Sequence, residues 1–319
     1  MKLFAPARIH LGFLELDQKL PRFFGSIGLT ISNFGLKIEI RTSRNFKVTC
    51  KNKALNRKIK LILNKFNKNF KIEFCELLVY KEIPLHVGLG SGTQIALTVG
   101  FLISEFNSLS LTIEEIALFL KRGNRSGVGI QSFKKGGFSI DIGKKKGKKH
   151  LPLELVNIRW PEEWKVILLF DSKTESNFGE KEITKFKKIN KEYKQSYNDN
   201  YATLIQMIIP GIIEKDFYTF SKGVNSIQGE MSKVFYGDPQ KFSSYKITKI
   251  FNFISKKKNY GFGQTSWGPT GFIFCENLKK RNLLLNSLEN YINLNGLKGI
   301  RLIGVNGRNK GKFLIKDNK

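Results

Sequence analysis

Residues 84–96 read P-L-H-V-G-L-G-S-G-T-Q-I-A, a glycine-rich loop leading straight into an apolar helical run over 93–106. An apolar stretch over 72–83, closed by Pro84, precedes it and reads as a strand. Strand, glycine loop and helix in succession confine the chain to mixed α and β architectures. Gly88, Gly90 and Gly92 remove side chains, so that backbone N–H groups can close around an anion. Ser91 and Thr93 add hydroxyl donors. The helix aims its unsatisfied N–H groups and the positive end of its dipole at the same spot, which suits a phosphate or pyrophosphate. The bland alternative is a turn that only caps a helix. No Lys-Ser/Thr pair follows the last glycine, so the loop is not a Walker A motif. Its G-L-G-S-G spacing also differs from the dinucleotide fingerprint.

A chain of 319 residues has room for two domains, and 41% apolar content supports a proper core. The charge is unusual: 55 Lys and Arg against 26 Asp and Glu, a net +29. Such a balance raises nucleic acid or an anionic membrane as partners. The basic residues are mostly lysines, however, spread singly or in small groups along the whole chain, which speaks for residue usage rather than a focused binding face. Neither nucleic acid nor membrane is expected as a partner, and a lysine-rich surface still steers phosphorylated substrates inward. Cys50, Cys75 and Cys275 lack metal-ligand spacing and read as buried small hydrophobes. The start, M-K-L-F-A-P-A-R, does not read as a signal peptide, and no apolar run approaches the roughly 18 residues of a membrane span. A cytoplasmic protein is expected; a homodimer is allowed but not required.

The pattern predicts strands over 3–16, 36–41, 47–50, 72–83, 136–142, 164–170, 270–275 and 299–305. It predicts helices over 56–66, 93–106 and 278–294, with three or four more between 180 and 260. Thr112, with Glu115 three residues on, forms a capping box for another helix. Residues 144–149 (K-K-K-G-K-K) read as a solvated tip or an anion-steering patch. The pattern resets near 155–162.

Four further clusters carry chemistry. In A-R-I-H-L-G, Arg8 and His10 fall on one face of a strand, two donors side by side. Arg22 opens R-F-F-G-S-I-G. Gly127 and Gly129, followed by Gly136 and Gly137, suggest backbone passing close to a ligand. Finally G-F-G-Q-T-S-W-G-P-T over 261–270 sets Trp267 beside hydroxyls and glycines.

Taken in order, these segments resemble the GHMP kinase superfamily. Residues 84–96 look like its phosphate loop, and 261–270 fall where it has a C-terminal glycine motif. Within it, A-R-I-H-L-G-F-L-E-L, R-F-F-G-S-I-G-L, G-L-G-S-G-T-Q, S-G-V-G-I-x-x-F-x-x-G-G and G-Q-T-S-W-G-P-T are similar to the beta-ribofuranosylaminobenzene 5'-phosphate synthase family. The likeness runs over nearly the whole chain. Superfamily kinases that use a catalytic base carry Asp in a segment like S-G-x-D; here Gly129 stands in that place and cannot accept a proton.

The resemblance implies an α+β (α/β two-layer) fold of two domains: a phosphate-binding, ribosomal S5 domain 2-like unit over 1–160 and a ferredoxin-like unit over 161–319, with the site between them. It implies a glycosyl transfer joining phosphoribosyl pyrophosphate to 4-aminobenzoate or 4-hydroxybenzoate, with loss of pyrophosphate and CO2, in tetrahydromethanopterin biosynthesis. On this reading Gly88, Leu89, Gly90, Ser91, Gly92, Thr93 and Gly268 hold the diphosphate, Gly268 and Ser266 facing Ser91. Arg8, His10 or Arg22 orients the carboxylate. Ser266 joins the catalytic group, and Trp267 walls the ring. Mg2+ or another divalent cation assists, with Glu182 and Asp141 as candidate ligands. An ATP-dependent small-molecule kinase on the same fold is the alternative reading. A basic nucleic-acid-binding protein is a more remote one.

Overall fold

Strand β1 (Lys2–Phe13) is buried along almost its whole length, as befits a strand covered on both faces. The structure, a computed structural model, describes residues 1–16, 20–147, 150–172, 198–257, 259–265 and 268–316. After β1 come β2 (Arg22–Phe23), β3 (Ser26–Thr42), β4 (Lys47–Thr49), α1 (Lys53–Phe70), β5 (Cys75–Lys81), α2 (Ser91–Phe106), α3 (Ile113–Phe119), α4 (Val128–Lys134), β6 (Phe138–Asp141), β7 (Lys144–Lys145) and β8 (Glu154–Ile158). Then follow β9 (Lys165–Asp171), α5 (Asn198–Thr203), a π turn (Leu204–Ile208), α6 (Ile209–Ile213), α7 (Phe217–Tyr236), α8 (Tyr245–Ser255), β10 (Phe262–Gln264), β11 (Gly271–Cys275), α9 (Leu278–Leu294), β12 (Ile300–Asn306) and β13 (Phe313–Ile315).

Two main sheets result. The first has the order β13-β1-β3-β5-β4, with β6 pairing β3 and β8 pairing β6. The second is antiparallel, in the order β10-β11-β9-β12. β3 merges the strand expected over 36–41 with the glycine-punctuated segment before it. Small residues permit this: a Cβ on Gly28 would lie 2.2 Å from Val128 Cγ1, so helix α4 sits directly on the strand. Between Pro6 and Ala7 the β1–β3 register shifts, and partners jump from Gly35 to Ile31. Pro6 brings no N–H to the ladder, which suits a bulge. The extra residues reach the second sheet: Asn33 Nδ2 donates to the Gly304 carbonyl at 3.3 Å.

Local signals set the helices. Asn52 Oδ1 accepts from the amides of Ala54 and Leu55, so α1 starts at Lys53, ahead of the expected 56. It buries Leu55, Ile59, Leu63 and Phe66, one stripe at helical spacing. The capping box of Thr112 and Glu115 is formed in full. Gly100 lets α3 approach α2; a Cβ there would meet Ile116 at 2.5 Å.

The core is continuous between the sheets. Trp160 stacks on Phe138 at 6.0 Å and meets Trp164, Phe220 and Phe274 edge-on or tilted. The chain then returns: β13 pairs β1, so the last residues belong to the first sheet rather than to the unit expected over 161–319. A return by so short a strand leaves little periodic signal to read. Gly136 and Gly137 pack on the same returning segment and on β8. Both have positive φ, and a Cβ would lie 2.5 Å from Lys310 backbone or 2.9 Å from the Ile158 carbonyl oxygen. That contact explains this glycine pair without a ligand. Among the described residues, no helix is long and apolar enough to cross a membrane.

Candidate active site

Helix α2 begins where the glycine loop demands. Gly90 is its N-cap, at φ 81, in the left-handed region open to glycine, and its carbonyl accepts from the amides of Thr93 and Gln94. The amides of Ser91 and Gly92, in the first turn, have no acceptor within their own helix. The helix is apolar and buried nearly all round, so its N-terminus is held rigidly.

Strand β1 and the C-terminal glycine turn fix the loop from behind. Arg8 Nη1 donates to the Gly88 carbonyl at 2.6 Å, and the Arg8 amide donates to the Leu89 carbonyl at 3.2 Å. Thr265 Oγ1 accepts from the His10 amide at 2.8 Å and donates to the Gly88 carbonyl at 3.0 Å. A single threonine hydroxyl therefore ties β1, the loop and the second sheet together. Thr265 opens a turn closed by its own amide on the Thr270 carbonyl, and the Gly268 amide donates back to the Thr265 carbonyl.

In front of the loop lies a cleft of about 590 Å³. Arg8, His10, Phe13, Gly88, Gly90, Ser91, Gly92 and Thr93 line one part of it. Lys58, His86, Lys121, Arg122, Arg125, Ser126 and Gly129 line much of the rest, together with the apolar Leu61, Ile62 and Ile95. No carboxylate lines it among the described residues. Two guanidinium groups bracket the loop: a Cβ on Gly90 would lie 3.2 Å from the Arg8 head, and one on Gly92 would lie 3.6 Å from Arg122 Nη1. Arg122 Nε is buried without a hydrogen-bond partner among the described residues. Burial also pulls the Arg122 pKa down. Lys58 Nζ lies 3.3 Å from His86 Nε2, and burial lowers both pKa values, with Arg122 adding to the effect on Lys58 and Lys58 to that on His86. Several cations converging where no carboxylate of the described residues lines the cleft attract a polyanion.

The expected residues divide in three. Arg8, His10, Gly88, Gly90, Ser91, Gly92 and Thr93 come together in the cleft. His10 is 2% exposed, and its imidazole is pushed down to about 3 by burial and then by Arg8, so it is a neutral ring and not a second cation. Gly88 faces the cleft, yet its missing side chain serves the glycine turn: a Cβ would strike the Thr265 carbonyl oxygen at 2.5 Å.

Leu89 contributes only backbone to the loop, its side chain being fully buried in the core. Three expectations are corrected. Gly268 packs on the backbone of Val87 and Gly88, behind the loop, instead of facing Ser91. Arg22 sits on the two-stranded ribbon β2–β7 and donates to the Gly143 carbonyl at 3.3 Å, away from the cleft lining. Asp141 is 1% exposed and spends its oxygens on the amides of Gly127 (2.8 Å) and Gly143 (2.9 Å) and on the Ser26 hydroxyl. Burial raises its carboxyl to about 6 against these hydrogen bonds. Those contacts join three chain segments and leave no set of lone pairs facing a cation. Ser266, Trp267 and Glu182 lie outside the described residues, as do Lys148 and Lys149.

The described residues thus do not fit a protein-held divalent ion. They contain no group of three His, Cys, Asp or Glu able to hold one, and the cleft offers no carboxylate to a hard cation. Sequence reasoning also missed Arg122, Lys58 and His86. The K-R-G at 121–123 was a readable signal, since it closes a helix just ahead of the S-G-V-G segment.

Gly129 lines the cleft beside the loop, and a Cβ there would sit 3.1 Å from Thr93 Cγ2. Gln94 Nε2 donates to its carbonyl at 2.8 Å. The place where related kinases carry a base is therefore closed backbone.

This two-sheet fold with a glycine loop at the start of a buried helix is that of the GHMP kinases. The GHMP kinases N terminal domain profile matches residues 53–137. Mevalonate diphosphate decarboxylase from Staphylococcus aureus superposes with a TM-score of 0.68 at 13% identity, covering 99% of this chain and 97% of its own. Mevalonate-3-kinase from Thermoplasma acidophilum gives 0.68 at 12%, covering 99% and 98%. Sequence carries the assignment further. A beta-ribofuranosylphenol 5'-phosphate synthase of Archaeoglobus fulgidus is 30% identical over 244 residues, 72% of this chain and 75% of the relative. One from Methanothermobacter thermautotrophicus is 25% identical over 333 residues, 98% and 97% of the two chains. The chain belongs to the beta-ribofuranosylphenol 5'-phosphate synthase family.

Proposed function

We propose that this chain transfers the ribosyl 5-phosphate of phosphoribosyl pyrophosphate to the ring carbon of an aromatic acid, releasing pyrophosphate and CO2. The observation that carries it is the pair Arg8 and Arg122 flanking the first turn of α2, in a cleft that no carboxylate of the described residues lines. As the C1–O bond of the donor breaks, its electron pair leaves with the diphosphate. Preformed cationic and N–H donors stabilise that departing charge, the main catalytic task. The ring carbon bearing the carboxylate bonds to C1 of the ribose. The ring–carboxylate bond then breaks, and its electrons restore the aromatic ring. Atoms and charges balance with no base, which fits Gly129 in the kinase base position.

The relatives are named for a ribosylated phenol, which favours 4-hydroxybenzoate over 4-aminobenzoate. A divalent cation, magnesium foremost, travels on the donor's diphosphate in this reading and is not held by carboxylates of the described residues. We place the reaction in the cytoplasm, supported by three cysteines that remain thiols. The test is incubation with phosphoribosyl pyrophosphate, magnesium and carboxyl-labelled 4-hydroxybenzoate. Labelled CO2 and pyrophosphate should appear without ATP. Product formed only with ATP, and no CO2, would instead establish a kinase.

A further inference from the structure

Behind His10 lies a second, smaller cavity, between β1, α7 and β10, with open space of about 20 Å³. His10 and Phe13 line both it and the cleft, so they stand at the boundary between the two. The inner walls are Met231 and Phe235, with Phe242 beyond; Tyr236 and Gln264 put polar atoms there. Gln264 Nε2 donates to the Tyr236 hydroxyl at 3.1 Å. His10 Nε2 is buried and has no hydrogen-bond partner among the described residues. An unsatisfied buried ring nitrogen costs stability unless a ligand completes it.

We infer that this cavity receives the ring of the aromatic acid, with its carboxylate at the His10–Phe13 boundary and its para substituent towards Tyr236 and Gln264. The inference rests on the function proposed above. Its chemistry is a division of labour: the cleft is cationic and takes the donor, while the cavity is aromatic and thioether-lined and takes a flat apolar ring. At the His10–Phe13 boundary the carboxylate-bearing carbon reaches the ribose. His10, being neutral, serves as a positioning residue at the carboxylate without a full salt bridge, which would oppose departure of CO2. At its present size the cavity holds about one water. The ring enters as the unbranched Met231 side chain swings aside, a movement for which thioethers are suited.

Two variants test this. Met231→Ala enlarges the cavity; it should raise the kcat/KM ratio of 4-hydroxy-3-methylbenzoate to 4-hydroxybenzoate at least tenfold, with KM for the ribosyl donor within twofold of wild type. Ser232→Leu fills the cavity; it should raise KM for 4-hydroxybenzoate at least tenfold, again sparing the donor. Equal losses for both acids in the first variant, or an unchanged acid KM in the second, would overturn the ring site while leaving the proposed reaction intact. Should wild type transfer ribose to no aromatic acid, the functional reading fails instead. Calorimetric titration with 4-hydroxybenzoate then decides the cavity alone, which requires binding to wild type and at least tenfold weaker binding to Ser232→Leu.

Discussion

Gly88 and Gly268 meet backbone to backbone: a Cβ on Gly268 would stand 2.5 Å from the Cα and N of Gly88. The glycine loop of the first sheet and the glycine turn of the second are pressed together with no room for even a methyl group. Gly268→Ala must therefore push the loop forward or separate the sheets. We expect a loss of about 1–3 kcal/mol in urea unfolding, together with a fall in kcat/KM of at least tenfold. Gly92→Ala is the control, because its Cβ would meet only Arg122 Nη1 at 3.6 Å. It should fold as well as wild type while losing affinity for pyrophosphate. Unfolding curves for the two variants that coincide would refute the distinction.

Arg8 and Arg122 should carry diphosphate binding between them. Arg8→Gln and Arg122→Gln are each expected to weaken pyrophosphate at least tenfold, about 1.4 kcal/mol, by isothermal titration. Because no carboxylate of the described residues lines the cleft, wild-type binding should persist in excess EDTA. Binding abolished by the chelator would show that the arginines alone do not hold the diphosphate and that a cation, on the ligand or on the protein, is required.

His10 should leave a mark on stability against pH. Its folded pKa lies near 3, well below its ordinary 6.5. The unfolded chain takes up the proton as pH falls through about 6.5, while the folded chain does not until about 3. The stability is thus present above pH 6.5 and lost between 6.5 and 3. Relative to His10→Gln, wild type should lose about 2 kcal/mol between pH 7.5 and pH 5, read from urea midpoints. Parallel curves for the two proteins would mean the ring is protonated where it sits.

Gly129→Asp restores the residue type that a kinase would carry but cannot restore the chemistry. The new side chain starts 3.1 Å from Thr93 Cγ2, against the loop. The expected outcome is reduced transfer to the aromatic acid and no ATP-dependent phosphorylation of any acceptor, followed with γ-labelled ATP. Gain of phosphoryl transfer would reopen the kinase reading.

Strong local signals were legible in the chain. Helix α9 occupies Leu278–Leu294, the span expected from its periodicity, and Thr112 with Glu115 forms its box. Each depends on contacts a few residues apart. Short elements were not legible: β8, β10 and β13 have five residues or fewer, too few for a period to emerge. The seven-residue α4 contains Gly129 and follows Gly127, both poor helix formers. Its glycines looked like ligand approach, and one of them does line the cleft.

By itself the sequence determined the glycine loop ahead of α2, the glycine at 129 and the family, because these depend on residue type in fixed order along the chain. Only the tertiary structure decided which charges share the loop. Arg122 reaches it from the end of α3, and Thr265 clasps it from the other sheet. Asp141 and Arg22 are drawn into hydrogen bonds elsewhere. Such partnerships join residues tens to hundreds of positions apart, and packing, which no local pattern encodes, selects among them.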